Sequence, residues 1–340
     1  MNNAQNTKAE HTELEKRMDE QQLFACKFAK WTPSLHYLPV WMSRQNYELL
    51  DTLFGLKRTG IKKDTTIQTI DHWVESSTSV KRFKIRCYYP HTKINESKTP
   101  TDALMFFHGG GCAIGSLKSH DAFCRFLSKQ TKSCVIAVDY GLGPKHPYPT
   151  AIINAIEATN YVHQNAKTLN INPDTMGASG DSAGAYLSLL CNQTELTKIL
   201  SVDIQYSLKY LALLYPMLDL TGASESYKEH RPYQILTPDV MQYFARHYLQ
   251  DMSKAQDELA SPVLAKSLNL DIPCFTMTAE FDPLRDDGFR LATRYGKDLC
   301  EHIHADDSTH GFIHLAGHSK KALAHCQRFA EAIIKLKDSL

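Results

Sequence analysis

A serine with a glycine two residues away on each side is the feature of this sequence that most directly indicates chemistry. Ser182 is the centre of the run GDSAG at 180–184, where a predicted strand gives way to a predicted helix. A sharp turn at such a junction raises a serine hydroxyl above a sheet. Ser179 is the rival nucleophile, but its window ends at Asp181, which has a side chain where the turn needs bare backbone. The spacing favours Ser182 as a nucleophile over the alternative of a helix that merely starts with small residues.

A serine hydroxyl needs a general base, and the base needs an acid that fixes its tautomer. One known chain order of such triads is serine, then acid, then histidine, so we look for the acid and the base after Ser182 in the sequence. Asp282 ends a predicted strand and is followed by Pro283, which cannot continue the hydrogen bonding of a strand. His310 lies in a later predicted loop, directly before a glycine that can turn. We therefore predict Asp282 as the acid and His310 as the base.

The chain offers competitors for both partners. Asp286 and Asp287 fall at the predicted start of a helix, where carboxylates commonly serve as caps. Glu280 is assigned to the face of a strand. His302 and His304 lie in a predicted strand, and His247 lies in a predicted inserted helix. His314 and His318 lack the loop setting of His310.

Three consecutive glycines follow a histidine in the run FFHGGGCAIGS at 106–116. Attack on an acyl carbonyl builds negative charge on its oxygen, and one backbone N–H aimed at that oxygen contributes about 3 kcal/mol. We predict that the N–H groups of Gly109, Gly110 and Ala183 form this oxyanion hole, while His108 braces the loop. A glycine-rich turn without a ligand is the alternative. A phosphate-binding loop is disfavoured, because no Lys-Ser or Lys-Thr pair follows at the required spacing.

Alternating strands and helices must position these side chains. Short apolar runs alternate with amphipathic stretches, at 83–89, 103–107, 133–140, 210–218 and 273–281. This alternation predicts an α/β fold whose mostly parallel sheet is covered on both faces. The stretch 236–249, with Thr237 as N-cap and Pro238 in the first turn, is predicted as a helix inserted above the sheet. The part before residue 80, including the helical spacing that starts at Leu14, is predicted as wholly helical.

Composition argues against several classes of protein. The chain has 340 residues, of which 43% are hydrophobic and 22% charged, with a formal net charge of +1. This balance gives no excess of positive charge for binding nucleic acid or an anionic membrane, so a small neutral partner is expected. Nine widely spaced cysteines without a CxxC pair fit a reduced compartment. The polar N-terminus is unlike a signal peptide and no run approaches the about 20 apolar residues of a membrane span, which favours a cytoplasmic location.

Five motifs occur in order, namely HGGG at 108–111, DYGLGPKHPYP at 139–149, GDSAG at 180–184, AEFDPLRDD at 279–287 and HGF at 310–312. Together with SHD at 119–121, they resemble the hormone-sensitive-lipase group of α/β-hydrolases, the GDXG family, over roughly residues 80–335. Within that group the chain is most similar to bacterial acetyl esterases. The resemblance implies an α/β-hydrolase fold, with a mostly parallel eight-stranded sheet flanked by helices and a helical cap.

The resemblance also implies a domain organisation and an activity. An N-terminal helical cap segment over 1–80 would lead into the first strand, and a catalytic domain over 81–340 would carry a cap insertion near 215–250. The implied activity is that of a serine carboxylesterase on acetyl to butyryl esters, without a cofactor or a metal. Residues matching the family's triad and oxyanion motif are Ser182, Asp282, His310, His108, Gly109 and Gly110.

Two other functions remain open at this point. The same triad would serve an amidase or a deacetylase of acylated small molecules, and a non-catalytic member of the fold would bind a ligand or a regulatory protein. We expect a small acyl ester as the partner, no nucleic acid, no membrane, and a monomer or homodimer. Cys112 replaces the aromatic residue that commonly follows HGGG, and its smaller side chain could leave extra room on the acyl side.

Overall fold

A central sheet organises the protein in a computed structural model, which describes residues 15–59, 66–90, 99–229 and 234–340. The described residues form eight strands: β1 (Gln68–Glu75), β2 (Arg82–Tyr89), β3 (Thr101–Phe107), β4 (Cys134–Val138), β5 (Ile171–Asp181), β6 (Leu211–Leu214), β7 (Cys274–Phe281) and β8 (Cys300–Thr309). They lie in one sheet in the order β1-β2-β4-β3-β5-β6-β7-β8. Strand β2 is antiparallel to both of its neighbours, and every other neighbouring pair is parallel. The predicted eight-stranded, mostly parallel sheet is confirmed.

Helices cover both faces of this sheet. Their bounds in the described part of the chain are α1 (Glu20–Ala29), α2 (Val40–Phe54), α3 (Leu117–Thr131), α4 (Thr150–Gln164), α5 (Ala183–Leu190), α6 (Thr194–Thr197), α7 (Glu225–Lys228), α8 (Pro238–Leu249), α9 (Arg285–Tyr295) and α10 (Lys320–Asp338). Within the described ranges, none of the helices combines the length and the apolarity needed to cross a membrane.

The side chains of the central strands alternate between two hydrophobic cores. In β3, Met105 and Phe107 belong to one core, whereas Leu104 and Phe106 belong to the other. The first core includes buried residues of α4, α5 and α8, and the second includes residues of α3 and α10. Burial on both faces of the sheet explains why central strands such as β4 and β6 are continuous apolar runs in the sequence.

Polar caps determine where the helices near the site begin. The Ser116 hydroxyl accepts a hydrogen bond from the Ser119 amide, and the Ser119 hydroxyl accepts one from the Ser116 amide, which starts α3 with a capping box. Thr237 Oγ1 accepts a hydrogen bond from the Val240 amide at 3.3 Å, and Pro238 occupies the first turn. The inserted helix α8 therefore begins as the sequence predicts.

The prediction of a wholly helical segment before residue 80 is wrong for residues 68–75. This stretch forms β1, which pairs antiparallel with β2 along its whole length at the edge of the sheet. Its apolar residues are few and seven of its eight side chains are exposed or partly exposed, so pairing with β2 rather than a buried apolar run defines it as a strand. The predicted helices around 18–28 and 46–54 are present as α1 and α2, while Leu14 lies outside the described residues.

The N-terminal helices and the inserted helix form a cap over the sheet. The Tyr243 hydroxyl on α8 donates a hydrogen bond to the Leu38 carbonyl at 2.9 Å, between α1 and α2. Arg44 on α2 donates hydrogen bonds to the carbonyls of Ala113 at 3.0 Å and Gly143 at 3.1 Å. These bonds hold the cap against the loop that contains the three glycines. All nine cysteines are buried free thiols.

Candidate active site

Ser182 lies at the sharp turn that the GDSAG run predicts. It follows β5 and precedes α5, and its backbone has φ +55° and ψ −116°, a strained conformation for a residue with a side chain. A Cβ atom at Gly184 would lie 1.8 Å from the Phe107 carbonyl oxygen, so only glycine allows α5 to approach β3 this closely. The turn aims the serine hydroxyl above the carboxyl end of the sheet.

The predicted acid and base lie beside this hydroxyl. His310 Nε2 is 3.0 Å from Ser182 Oγ, and His310 Nδ1 is 2.7 Å from Asp282 Oδ2. Asp282 follows β7 and His310 follows β8, and the last paired residues of these parallel strands, Phe281 and Thr309, are neighbours in the sheet. The carboxyl ends of parallel strands meet at one edge of a sheet, which brings residues 128 positions apart into contact.

Hydrogen bonds assign the proton on the histidine. A carboxylate oxygen can only accept, so Nδ1 of His310 carries the proton and Nε2 is left to accept the Ser182 hydroxyl hydrogen. The other oxygen of Asp282 accepts the Leu284 amide at 2.8 Å, and the carboxylate is 1% exposed. Asp282 is thus fixed by two donors, and the imidazole is held in the tautomer that a general base requires.

The competing acids have other partners. Asp286 Oδ2 accepts the Ser226 amide at 2.8 Å, and Asp287 Oδ2 accepts the amides of Leu218 and Asp219 at 2.8 and 2.9 Å. Burial, with Asp219 and Asp282 nearby, raises the pKa of Asp287 well above its ordinary value. These contacts tie the loop after β6 to α9 and leave neither carboxylate facing His310.

Three of the remaining competitors are also engaged elsewhere. Glu280 Oε2 lies 2.9 Å from His304 Nε2, and both His302 and His304 contact Thr278 Oγ1 at 2.9 Å. These residues lie on β7 and β8, below the edge where Ser182 is found. The sequence-based choice of acid and base therefore agrees with the geometry, in which Asp282 and His310 are the residues in contact with each other and with the serine.

His108 braces the glycine loop, as the sequence predicts. Its Nδ1 donates to the Gly109 carbonyl at 2.8 Å, its ring stacks on Tyr140 with centroids 4.3 Å apart, and the Tyr140 hydroxyl donates to the His108 carbonyl at 2.6 Å. Burial, with a smaller contribution from His120, lowers the pKa of His108 to about 3. The ring is therefore neutral at physiological pH and supports the loop by packing and hydrogen bonding.

The predicted role of Gly109 as an oxyanion donor needs correction. Its N–H is already donated to Asp181 Oδ1 at 2.8 Å, and Gly109 does not line the cavity at Ser182. A Cβ atom at Gly109 would lie 2.3 Å from Asp181 Oδ2, which explains why glycine is needed there. A carboxylate is a stronger acceptor than a substrate carbonyl, so this amide is not available to an oxyanion.

Three other amides are better placed to stabilise an oxyanion. Gly110 and Gly111 both line the cavity, and Ala183 directly follows the serine at the start of α5. None of the three amides donates a hydrogen bond to another described residue. The sequence analysis included Gly110 and Ala183 but missed Gly111, although the third glycine of the run was a visible signal.

A buried polar network surrounds Asp181. His120 Nε2 lies 3.1 Å from Asp181 Oδ1, and His314 is nearby, with its Nε2 2.7 Å from the Tyr47 hydroxyl. Burial alone would raise the pKa of Asp181, but His120, His314 and the Gly109 amide together hold it below its ordinary value. Asp181 is therefore an ionised carboxylate that anchors the glycine loop. Its place next to Ser182 in the GDSAG run was the one sequence signal of this role.

The same network is where a metal would be sought. Among the described residues, His120, Asp181 and His314 bring potential ligand atoms within 4.8 Å of one another, and all three are buried. Each of them already has a partner, because Asp181 holds the Gly109 amide and His120, while His314 lies against Tyr47 and Asp51. The contacts are those of a hydrogen-bonding network that supports the loop.

A small apolar cavity opens at the serine. Its volume is about 70 Å³, and the walls are mostly apolar residues from α1, α2, α8 and the loop after β8. Phe244 and Met241 of α8 form one wall, while Tyr47 and Leu50 of α2 form another. Cys112 is fully buried and is not among the residues that line the cavity, so the expected extra room on the acyl side is not present at this position.

Comparisons with known proteins agree with this geometry. A family model described as alpha/beta hydrolase fold matches residues 104–314. The carboxylic ester hydrolase LipN of Mycobacterium tuberculosis is 33% identical over 224 residues, which cover 63% of this chain and 58% of that protein. An arylesterase of Saccharolobus solfataricus is 32% identical over 211 residues, covering 62% of this chain and 65% of that protein. The chain thus matches less than two thirds of the length of either relative.

A solved structure extends the likeness over more of the chain. The esterase of Pyrobaculum calidifontis superposes with a TM-score of 0.75 and 27% sequence identity. The superposition covers 88% of this chain and 94% of that protein. It therefore includes residues outside the range that the family model matches.

Proposed function

The chain belongs to the α/β-hydrolase family, and from this premise we propose that it hydrolyses carboxylic esters with short acyl groups, from acetyl to butyryl. The observation that carries the proposal is the hydrogen-bonded chain from Ser182 Oγ through His310 to Asp282, at 3.0 and 2.7 Å, on the wall of an apolar cavity. The esterases among its relatives support the reaction type.

The contacts account for each proton in the reaction. His310 Nε2 takes the proton from Ser182 as Oγ attacks the ester carbonyl, and Asp282 stabilises the resulting imidazolium. The carbonyl oxygen becomes an oxyanion within reach of the amides of Gly110, Gly111 and Ala183. The carbon–oxygen bond to the alcohol then breaks, and His310 gives its proton to the departing alcohol. Water attacks the acyl-serine by the same steps, which releases the acid and restores Ser182.

The size of the cavity supports a short acyl group. An apolar protein cavity of about 150 Å³ holds a benzene molecule, whereas the volume here is about 70 Å³. Each buried methylene contributes about 0.8 kcal/mol of binding, but only where there is space to receive it. Longer acyl chains would therefore have to displace Phe244 or remain in water, and kcat/KM should fall steeply from butyryl to octanoyl esters.

The test is hydrolysis of nitrophenyl esters from acetyl to dodecanoyl, by the native protein and by Ser182→Ala. The variant should fold and lose kcat by about four orders of magnitude or more, because the nucleophile is gone. Ser179→Ala is the matched control, since this buried hydroxyl has no hydrogen-bond partner in the described part of the chain and should be dispensable. Near-native turnover by Ser182→Ala, or a native optimum at octanoyl or longer, would contradict the proposal.

A further inference from the structure

Large apolar side chains are exposed along one side of α1. Phe24, Phe28 and Trp31 follow one another at spacings of four and three residues, which places them on one side of the helix and its C-terminal end. All three are exposed, and Trp31 is 90% exposed. Ala25, on another side of the same helix, lines the cavity at Ser182. Helix α1 therefore presents apolar surface both inward and outward.

Helix α2 also presents apolar side chains both to the cavity and to solvent. Trp41, Leu49 and Leu53 are separated by multiples of four residues, and all three are exposed. Tyr47 and Leu50 of the same helix line the cavity instead. The two helices touch where the ring of exposed Phe28 packs edge-on against that of buried Phe54, with centroids 5.6 Å apart, one residue beyond exposed Leu53.

The exposed apolar side chains of these two neighbouring helices are here called the outer cap face: Phe24, Phe28, Trp31, Trp41, Leu49 and Leu53. Exposed large hydrophobic side chains number thirteen in the described part of the chain, and seven of them, these six and Tyr37, fall within residues 24–53. Single exposed apolar residues are normal, but a cluster of this kind marks an interaction surface.

The charges at the tryptophan end of the outer cap face are positive. Residues 21–47 contain Lys27, Lys30 and Arg44 and no aspartate or glutamate, whereas Glu20 and Glu48 lie toward the other end, near Phe24 and Leu49. Lys27 and Lys30 are exposed and adjoin Phe28 and Trp31 in the sequence, with Lys27 also 3.7 Å from Glu15. Tryptophan and tyrosine favour the boundary between water and lipid, and lysine side chains beside them are attracted to anionic headgroups.

Other occupants of the outer cap face fit less well. Residues 1–14 contain only Met1 and Leu14 as large apolar side chains, too few to cover two rows of aromatic and aliphatic groups. A second copy of the chain would have to cover the exposed side chains of Lys27 and Lys30, and charged residues are depleted from the core of protein interfaces.

We propose that the outer cap face binds the surface of an anionic phospholipid bilayer. Trp31 and Trp41 lie at the level of the headgroups, and Lys27 and Lys30 approach the lipid phosphates. This inference goes beyond the proposed ester hydrolysis and does not depend on it. It revises the expectation of no membrane partner, which rested on net charge and on the lack of a spanning segment.

The test is co-sedimentation of the full chain with vesicles of equal parts phosphatidylcholine and phosphatidylglycerol, and with vesicles of phosphatidylcholine alone. Binding is expected to the mixed vesicles, with weaker binding to the neutral vesicles and at high salt. Trp31→Ser combined with Trp41→Ser should weaken the partition by about tenfold or more, because two large interfacial side chains are lost. Ile199→Ser is the matched control, since Ile199 is 79% exposed but lies outside this face.

A charge variant and two further measurements decide between the occupants. Lys27→Gln combined with Lys30→Gln should weaken binding to the mixed vesicles and reduce its dependence on salt. Both double variants should keep native turnover of a soluble acetyl ester. Absence of vesicle binding by the native chain, or equal loss in Ile199→Ser, would overturn the proposal. A different result would also overturn it: the native chain is a dimer, the variant Trp31→Ser with Trp41→Ser is a monomer, and neither form binds vesicles.

Discussion

At the scale of single residues, the catalytic acid can be tested against its nearest competitor. Asp282→Asn keeps the shape of the side chain but favours the wrong tautomer of His310, so kcat should fall by about four orders of magnitude. Asp286→Asn is the control, because Asp286 accepts the Ser226 amide and does not face His310. Steady-state kinetics on an acetyl ester checks both variants. The opposite ranking would mean that the acid has been assigned to the wrong carboxylate.

Asp181 gives a second prediction at this scale, as a positioning residue. Asp181→Asn removes the negative charge that strengthens the bonds from the Gly109 amide and His120, both of which reach Oδ1, so the glycine loop is held less firmly. We expect kcat to fall about tenfold or more with little change in KM, since the oxyanion forms only after binding. Labelling of Ser182 by a fluorophosphonate should slow in parallel, because the phosphonyl oxygen uses the same amides.

A purely structural role for Asp181 would give a different result. The melting temperature would fall while kcat and the labelling rate stayed at native values. Asp174→Asn provides the control, since Asp174 lies on the same strand with an exposed side chain and should change none of the three measurements.

At the scale of elements, α8 should set the acyl length. The Phe244 side chain packs against Gly111, where a Cβ atom would lie 2.5 Å from Phe244 Cβ, and it also lines the cavity. Phe244→Ala removes this wall and makes space for several methylenes, each contributing about 0.8 kcal/mol. The optimum of kcat/KM should move from short acyl groups to hexanoyl or longer.

The measurement is the acyl series from acetyl to dodecanoyl with one leaving group. Gln242→Ala on the exposed side of the same helix should leave the series unchanged. An unchanged optimum in Phe244→Ala would mean that the acyl group binds elsewhere, for example toward α2.

At the scale of the whole molecule, a buried ion pair joins the cap to the catalytic core. Asp51 on α2 lies 3.2 Å from His314 Nδ1 and 2.5 Å from Lys57 Nζ. Burial alone would raise the pKa of Asp51, but hydrogen bonds and charge from His314 and Lys57 lower it overall. A folded pKa below the unfolded value, about 3.9, means that the ionised group stabilises the protein above that pH. This stabilisation by ionised Asp51 is lost as the pH falls through the pKa of Asp51 in the folded protein.

Asp51→Asn should therefore lower the free energy of unfolding by about 3 kcal/mol at neutral pH, because the Lys57 charge is left buried without its partner. The difference between native and variant should narrow as the pH falls below about 4. Thermal unfolding across this pH range measures both effects, with exposed Asp174→Asn as control. A difference that stayed constant down to the lowest pH would show that the charge of Asp51 contributes nothing to stability.

The sequence by itself determined the elements and residues whose signals are local. Apolar runs bounded by turns placed β2, β3, β4, β6 and β7, because strands buried on both faces must be apolar throughout. The Gly-x-Ser-x-Gly turn and the loop settings of Asp282 and His310 predicted a triad whose members lie in contact in the structure. Local signals sufficed there because each residue ends a strand of one parallel sheet, and such ends converge whatever the details of packing.

Only the tertiary structure decided what depends on distant contacts. Strand β1 has little apolar pattern and is a strand because β2 supplies its hydrogen bonds. Gly109 and Gly111 are equivalent in a run of three glycines, but the buried Asp181 carboxylate takes the Gly109 amide and leaves Gly111 at the cavity. The apolar residues of α1 and α2 read as one amphipathic pattern, although some line the cavity and others, such as Trp31, face solvent. Composition records how many apolar groups a helix has, whereas burial depends on which neighbours the rest of the chain brings against each side.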